Sequence, residues 1–163
     1  MARLDLVVCL SVDLIKLAIP SSLKYRDLVL RVVAAAAKLV GQKPGRPSRV
    51  DREFDDQVIS AVGEAFNNAV LHSYRGRVAG DIEIEIETAA ESIAVRLIDS
   101  GDAFDWTEVP EPNLDDLPES GLGVFIMRSF MDQVTYRAGD RNVLSMRKNY
   151  VQPTVTESAS RPS

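Results

Sequence analysis

Two polar side chains, Glu64 and Asn68, stand four residues apart in the largely apolar segment VISAVGEAFNNAVLHSY, residues 58–74. If the segment is helical, they stack one turn apart, with roughly 6 Å between their Cβ atoms. Glu64 is the only formally charged side chain between Gln57 and Tyr74, which is unusual for a helix face exposed to water. A carboxylate and an amide on a sheltered face suit a magnesium and phosphate site. The alternative is a helix whose polar residues contact a neighbouring loop.

A second candidate site is the turn DSGD, which begins at Asp99 after an apolar run. A carboxylate at this position can accept a hydrogen bond from the exocyclic amine of adenine. Gly101 would let the backbone approach the base closely, because glycine has no Cβ. An aspartate that only shapes a tight turn is the alternative.

A third candidate is the glycine pair in GLG, formed by Gly121, Leu122 and Gly123. The apolar segment that follows is helical in character, and backbone N–H groups at the start of a helix bind phosphate. The segment lacks the lysine and hydroxyl residue of a P-loop, and it is not a GxGxxG turn after a strand. Neither common phosphate-binding fingerprint therefore applies.

These residues must be positioned by regular elements. The segment around Glu64 is predicted to be a helix because its apolar residues recur on one face; they are Val58, Val62, Ala65, Phe66, Ala69 and Val70. Strong helix formers without a breaker predict another helix from Tyr25 to Val40, with Arg26, Asp27, Arg31 and Lys38 on its exposed side.

Strands are predicted where β-branched residues cluster or alternate with polar ones. In DIEIEIET, residues 81–88, isoleucine alternates with glutamate, which predicts a half-buried strand with an acidic outer face. SIAVRLID, residues 92–99, follows as the second strand of a hairpin. The remaining predicted strands are Leu4–Leu10, Leu14–Ile19 and one on each side of the turn Ala138–Arg141.

Together these elements predict an α+β fold, a two-layer sandwich with helices on one face of a mostly antiparallel sheet. Residues 41–53 are basic and rich in glycine and proline, so they are predicted to be a mobile connection. Residues 100–120 lack periodicity and are predicted to form a lid. Residues 1–150 are expected to form one domain, followed by a disordered tail at 151–163.

Composition limits the possible partners and compartment. The 163 residues are 45% hydrophobic and carry a net charge of −5, which predicts a soluble protein and argues against direct nucleic-acid binding. The single cysteine, Cys9, excludes an internal disulfide. Asp5, Asp13 and Lys16 interrupt the apolar run near the N-terminus well short of a membrane span. We therefore expect no membrane association and a cytoplasmic location.

Three motifs occur in a fixed order: EAFNNAVLHSY at 64–74, DSGDAFD at 99–105 and SGLGVFIMRSFMDQV at 120–134. In this order and spacing they resemble the N box and the two glycine boxes of the bacterial anti-sigma factor serine/threonine kinases. That family is a branch of the GHKL ATPase superfamily, and the resemblance covers residues 19–149. It implies the Bergerat, or GHKL ATPase, fold.

The resemblance also implies a role for each candidate residue. Glu64 would take or position the proton of a substrate hydroxyl, and Asn68 would bind Mg²⁺ that bridges the phosphates of ATP. Asp99 and Gly101 would hold adenine. The phosphates would meet the backbone of Gly121, Leu122 and Gly123, with Arg128 as a further residue that could neutralise their charge.

The same resemblance implies partners. The protein would be a homodimer that phosphorylates an anti-sigma-factor antagonist of the STAS type and sequesters a sigma factor when that antagonist is absent. The alternative is a nonenzymatic nucleotide-gated adaptor that uses the same pocket to select a protein partner. The presence of both Glu64 and Asn68 favours the enzyme.

The chain departs from the wider superfamily at several positions. Ala103 stands where the wider superfamily often has a second glycine, and in this respect DSGDAFD resembles the anti-sigma branch more closely than the histidine-kinase branch. The loop at 41–53 is longer and more basic than usual, and the segment before Leu14 has no counterpart. His72, the only histidine, lies inside the first motif, so we expect it to pack at the helix end, and a histidine kinase is disfavoured.

Overall fold

A computed structural model of the protein describes residues 12–42, 51–74, 78, 80–103 and 121–151. Its strands are β1 Asp13–Pro20, β2 Asp81–Ala89, β3 Ser92–Asp99, β4 Gln133–Arg137 and β5 Asn142–Asn149. Its α-helices are α1 Arg26–Ala37, α2 Arg52–Asn68 and α3 Leu122–Phe130. All paired strands are antiparallel, and they form one sheet in the order β1-β2-β3-β5-β4.

The predicted two-layer α+β sandwich is confirmed. In β2, Ile82, Ile84 and Ile86 are fully buried, because they point from the sheet into the core beneath the helices. Along α1 and α2 the buried residues recur at helical spacing and fill the other side of that core. The alternation of isoleucine and glutamate in β2 therefore correctly predicted which face of the sheet the helices cover.

The opposite face of the sheet carries the glutamates of β2 in ion pairs. Glu85 pairs with Lys16 of β1 on one side and with Arg96 of β3 on the other, where the distance from its Oε2 to a guanidinium nitrogen is 2.8 Å. Arg96 also contacts Glu87, and Glu83 accepts a hydrogen bond of 2.9 Å from Arg141. The outer face is acidic in sequence, as predicted, but its charges are largely compensated.

Helix α2 is longer than its apolar pattern indicated. We expected a loop as far as residue 53, whereas the helix begins at Arg52, because the side chain of Asp51 accepts a hydrogen bond of 3.0 Å from the N–H of Phe54 and caps it. At its other end α2 continues into a π-helical turn, Ala69–Ser73. His72 in that turn is exposed rather than packed.

Helix α1 agrees with its predicted range to within three residues at either end. Its charged residues are exposed with the exception of Arg26, which is half-buried and donates a hydrogen bond of 3.1 Å to Asn67 of α2. The strand predicted at Leu4–Leu10, most of the basic loop, the lid from residue 104 onward and the tail from residue 152 lie outside the described residues. No helix in the described part of the chain is long and apolar enough to cross a membrane.

Candidate functional site

Glu64 and Asn68 lie on the side of α2 that faces α3, and both are half-buried. Gly123 of α3 packs directly against them. A Cβ on this glycine would lie 2.9 Å from Glu64 Oε2 and 3.5 Å from Asn68 Nδ2. The face predicted to be sheltered is therefore covered, and the carboxylate and the amide meet the first turn of the next helix.

The start of α3 is shaped by a glycine in an unusual conformation. Gly121 has φ 103° and ψ −10°, in the left-handed region that side-chain-bearing residues rarely adopt. Its carbonyl accepts the hydrogen bond from the N–H of Phe125 at 3.2 Å, so it begins the helix. The N–H groups of a first helical turn have no partner within the helix and attract anions. Here that turn lies beside Glu64 and Asn68.

Asp99 ends β3 and is buried. Its Oδ1 accepts a hydrogen bond of 2.9 Å from the N–H of Gly101 and one of 3.2 Å from the side-chain amide of Asn142. The same amide nitrogen donates to the carbonyl of Gly101 at 3.1 Å. Both of these hydrogen bonds to the carboxylate are accepted by Oδ1.

A mostly apolar pocket joins these two groups of residues. It lies between α2 and the core face of the sheet, and both Asn68 and Asp99 line it. Its walls are completed by Ala65, Ala69, Ser73, Leu97, Tyr136 and Leu144. Apolar walls with one buried carboxylate suit a flat heterocyclic base that presents an amine. The amide of Asn68 marks the side of the pocket nearer α3.

The structure thus brings together seven of the eight predicted site residues around α2 and the pocket. Arg128 is the exception, because it is exposed and lies in the last turn of α3, about 7.5 Å along the helix axis from Gly123. Its part in binding phosphate stays a prediction. In the described part of the chain no three acidic, histidine or cysteine side chains lie close enough together to hold a metal ion.

Two residues that we did not predict contribute to the site. Asn142 is 1% exposed at the start of β5, on the core-facing register shared by Leu144 and Met146. A polar residue at a core position is the signal that could have identified it. Tyr74 ends the π-helical turn and hydrogen-bonds to Ser100, in the turn that follows Asp99. Nothing in the local sequence pattern indicated that contact.

The family profile described as "Histidine kinase-like ATPase domain" matches residues 20–148. The chain therefore belongs to this family of ATPase domains, and its fold is the GHKL ATPase fold that the three motifs implied. It is 30% identical over 160 residues to the serine-protein kinase RsbW of Staphylococcus aureus, an alignment that covers 91% of this chain and 94% of the relative. It is 28% identical over 148 residues to the serine-protein kinase RsbW of Bacillus velezensis, covering 85% of this chain and 86% of the relative. The resemblance to kinases of the anti-sigma branch is confirmed.

Proposed function

We propose that this protein is an ATP-dependent serine/threonine protein kinase and anti-sigma factor. It phosphorylates an anti-sigma-factor antagonist of the STAS type and sequesters a sigma factor when that antagonist is unavailable. The observation that carries the proposal is the contact of Gly123 with Glu64 and Asn68, beside a pocket that ends at Asp99. Family membership and the similarity to serine-protein kinases support it.

In the proposed reaction the hydroxyl oxygen of a substrate serine or threonine attacks the γ-phosphorus of ATP. The bond from that phosphorus to the β,γ-bridging oxygen breaks, ADP leaves, and the hydroxyl proton passes to the Glu64 carboxylate. Positioning and charge neutralisation provide most of the catalysis in phosphoryl transfer. The carboxylate is placed for this role because Gly123 brings the first turn of α3, where the phosphates would lie, directly to its Oε2.

The nucleotide would lie with its base in the pocket, where Asp99 Oδ2 accepts the exocyclic amine, and with its phosphates toward Gly121, Leu122 and Gly123. Mg²⁺ fits this arrangement because Asn68 supplies an amide oxygen, and magnesium favours oxygen ligands shared with phosphates. When bound, the ion would neutralise charge on the phosphates. The homodimer and the identity of the antagonist as a STAS-type protein are proposals that rest on the resemblance, and the cytoplasmic location is a proposal that rests on the charged residues in the apolar run near the N-terminus.

The proposal can be tested by following labelled γ-phosphate from ATP and Mg²⁺ to candidate antagonists encoded by the same genome. We expect Glu64→Gln to lower transfer by roughly 10²-fold or more, because it removes the proton acceptor, while nucleotide binding is retained. Asn68→Ala should lower both the rate of transfer and the dependence of that rate on Mg²⁺. Glu91→Gln is the matched control, because this exposed glutamate lies in the turn between β2 and β3, at the end of β3 opposite Asp99.

Labelling that is lost in both site variants and retained in Glu91→Gln would support the kinase. Full transfer by Glu64→Gln would contradict the role of Glu64. Nucleotide binding without transfer to any candidate would instead favour the nucleotide-gated adaptor, and capture of the partner with and without ATP would then identify what it binds.

A further inference from the structure

Tyr74 connects three parts of the fold through one hydroxyl group. It follows the π-helical turn at the end of α2, and its Oη donates a hydrogen bond of 3.1 Å to the carbonyl of Asp81, at the start of β2. The same oxygen accepts a hydrogen bond of 3.2 Å from the N–H of Ser100, directly after β3. The hydroxyl therefore links the end of α2 to the turn that carries Asp99 and Gly101.

A second link joins the same two elements on the other side of Gly101. The carbonyl of Ser73 accepts a hydrogen bond of 2.7 Å from the N–H of Asp102. Gly101 lies so close that a Cβ would stand 2.2 Å from the Ser73 oxygen. The backbone of Gly101 thus packs on the backbone of Ser73. Hydrogen bonds at Ser100 and at Asp102 hold the turn to the end of α2 on both sides of Gly101.

The ring of Tyr74 is held in place independently of its hydroxyl. It packs on Gly80, where an added Cβ would lie 2.6 Å from Tyr74 Cε1, and it contacts the edge of the hydrophobic core. A phenylalanine at this position would keep the ring and its packing. The hydroxyl can therefore be removed while the ring keeps its place against Gly80 and the core.

These links connect the residues that would recognise the two ends of the nucleotide. Asn68 lies on α2, five residues before Ser73, and Asp99 lies in the turn that Ser73 and Tyr74 hold. The width of the pocket between Asn68 and Asp99 depends on how the turn is seated against the end of α2. A π-helical turn at this place is consistent with a functional site, since such turns are frequent there.

We propose that Tyr74 is a positioning residue for nucleotide binding. Its hydroxyl seats the Asp99–Asp102 turn against α2, so that the Asp99 carboxylate meets the base while Asn68 meets the phosphates. This inference rests on the proposed function, since it assumes that the pocket takes ATP. It assigns to Tyr74 a contribution to affinity and to base selectivity, and none to the transfer step.

The test compares the wild-type protein with Tyr74→Phe and, as a matched control, Tyr150→Phe. Tyr150 follows β5 at the end opposite Asn142, about 25 Å from the site, and its ring packs edge-on against Phe54. Each variant loses one hydroxyl from a tyrosine packed against the core. Dissociation constants for ATP and GTP, KM and kcat for transfer, and amide hydrogen exchange at Ser100 would be measured on each protein after its thermal unfolding is recorded.

We expect Tyr74→Phe to weaken ATP binding about 3- to 10-fold, the effect of one or two lost hydrogen bonds. GTP binding should change less, because guanine carries a carbonyl oxygen at the position where adenine carries the amine that Asp99 would accept. KM for ATP should rise while kcat at saturating ATP stays within about 2-fold, and exchange at Ser100 should accelerate. Tyr150→Phe should leave all five readouts near the wild-type values.

Equal ATP affinity in the wild type and in Tyr74→Phe would overturn the inference and leave the proposed function intact. Equal losses in Tyr74→Phe and Tyr150→Phe would also overturn it, because they would reflect general destabilisation. A wild-type protein that binds no nucleotide would instead overturn the proposed function itself.

Discussion

Gly101 and Gly123 each allow a close approach that a side chain would prevent, but the atoms that they meet are of different kinds. At Gly101 the neighbour is the backbone of Ser73, which cannot move without moving the end of α2. At Gly123 the nearest atom is the carboxylate end of Glu64, which can rotate away. A side chain at residue 101 would therefore disturb the fold, whereas one at residue 123 would displace a functional group.

We predict that Gly123→Ala lowers phosphoryl transfer without lowering stability. The new methyl group would push the Glu64 carboxylate from its place, and a misplacement of about 1 Å can cost on the order of 10²-fold in rate. Alanine inside a helix is also favoured over glycine by about 0.5–1 kcal/mol. Transfer assays and thermal unfolding would measure the two effects.

Gly139→Ala is the control for that substitution. A Cβ at Gly139 would have only one described neighbour, the carbonyl oxygen of Arg141 at 3.6 Å, an ordinary contact. Transfer in Gly123→Ala equal to that of the control would contradict the role given to the contact between α3 and Glu64.

At the scale of elements, the ends of α2 show where sequence patterns stop being informative. The apolar spacing from Val58 to Val70 predicted the middle of the helix correctly. Its first turn contains few apolar residues, so the start was visible only as a capping aspartate, Asp51, which we assigned to the basic loop. Its π-helical end uses the same kinds of side chain as an α-helix, so periodicity could not reveal it.

We predict that Asp51→Ala destabilises the protein by about 1 kcal/mol, because it removes the oxygen that accepts the N–H of Phe54. Urea unfolding, fitted with one m-value for all the proteins, would measure the change in the free energy of unfolding. Asp56→Ala is the control, because Asp56 is exposed inside the same helix. Equal stability of the Asp51 and Asp56 variants would show that the cap contributes nothing.

The strands were easier to predict than the helix ends, since the isoleucines of β2 fix both the element and its buried face. Asn142 was missed because an asparagine beside a turn is ordinary in sequence. Its two hydrogen bonds to the turn after β3 arise from a pairing between strands that lie far apart in the chain. Local patterns carry no information about such a pairing, whereas the order of the three motifs implied which segments would meet.

At the scale of the whole molecule, a network of charges covers the open face of the sheet. The hydrogen bond from Lys16 holds the pKa of the Glu85 carboxyl below its ordinary value of 4.5. That same bond raises the pKa of Lys16 above 10.5. The charges on three adjacent strands are thus coupled, and they link the edge strand β1 to the middle of the sheet.

This coupling predicts how stability depends on pH. Because the pKa of Glu85 is lower in the folded protein than in the unfolded chain, its contribution is fully present above pH 4.5 and is lost as the pH falls through the lowered pKa. The contribution of Lys16 has the opposite dependence, present below pH 10.5 and lost as the pH rises through the raised pKa.

We predict that Glu85→Gln makes the loss of stability on acidification shallower, because one carboxylate that must be protonated is gone. Urea unfolding from neutral to acidic pH, at low and high salt, would measure it. Glu91→Gln, which changes an exposed glutamate beside the same strand, should follow the wild-type curve. If the free energy of unfolding falls equally with pH in the two variants, the ion pairs of Glu85 do not contribute to the pH dependence.

The pairing of β1 with β2 has a consequence for how the chain reaches this structure. The hydrogen bond between Lys16 and Glu85 joins residues 69 positions apart, and both α1 and α2 lie within the segment that this pairing closes. Closing a long segment costs more chain entropy than forming the hairpins β2–β3 and β4–β5, so the two hairpins can form early and β1 joins late. A nascent chain that has completed both hairpins can thus still lack an ordered β1, while α2 is already held by its contacts with α1, with α3 and with the rest of the sheet.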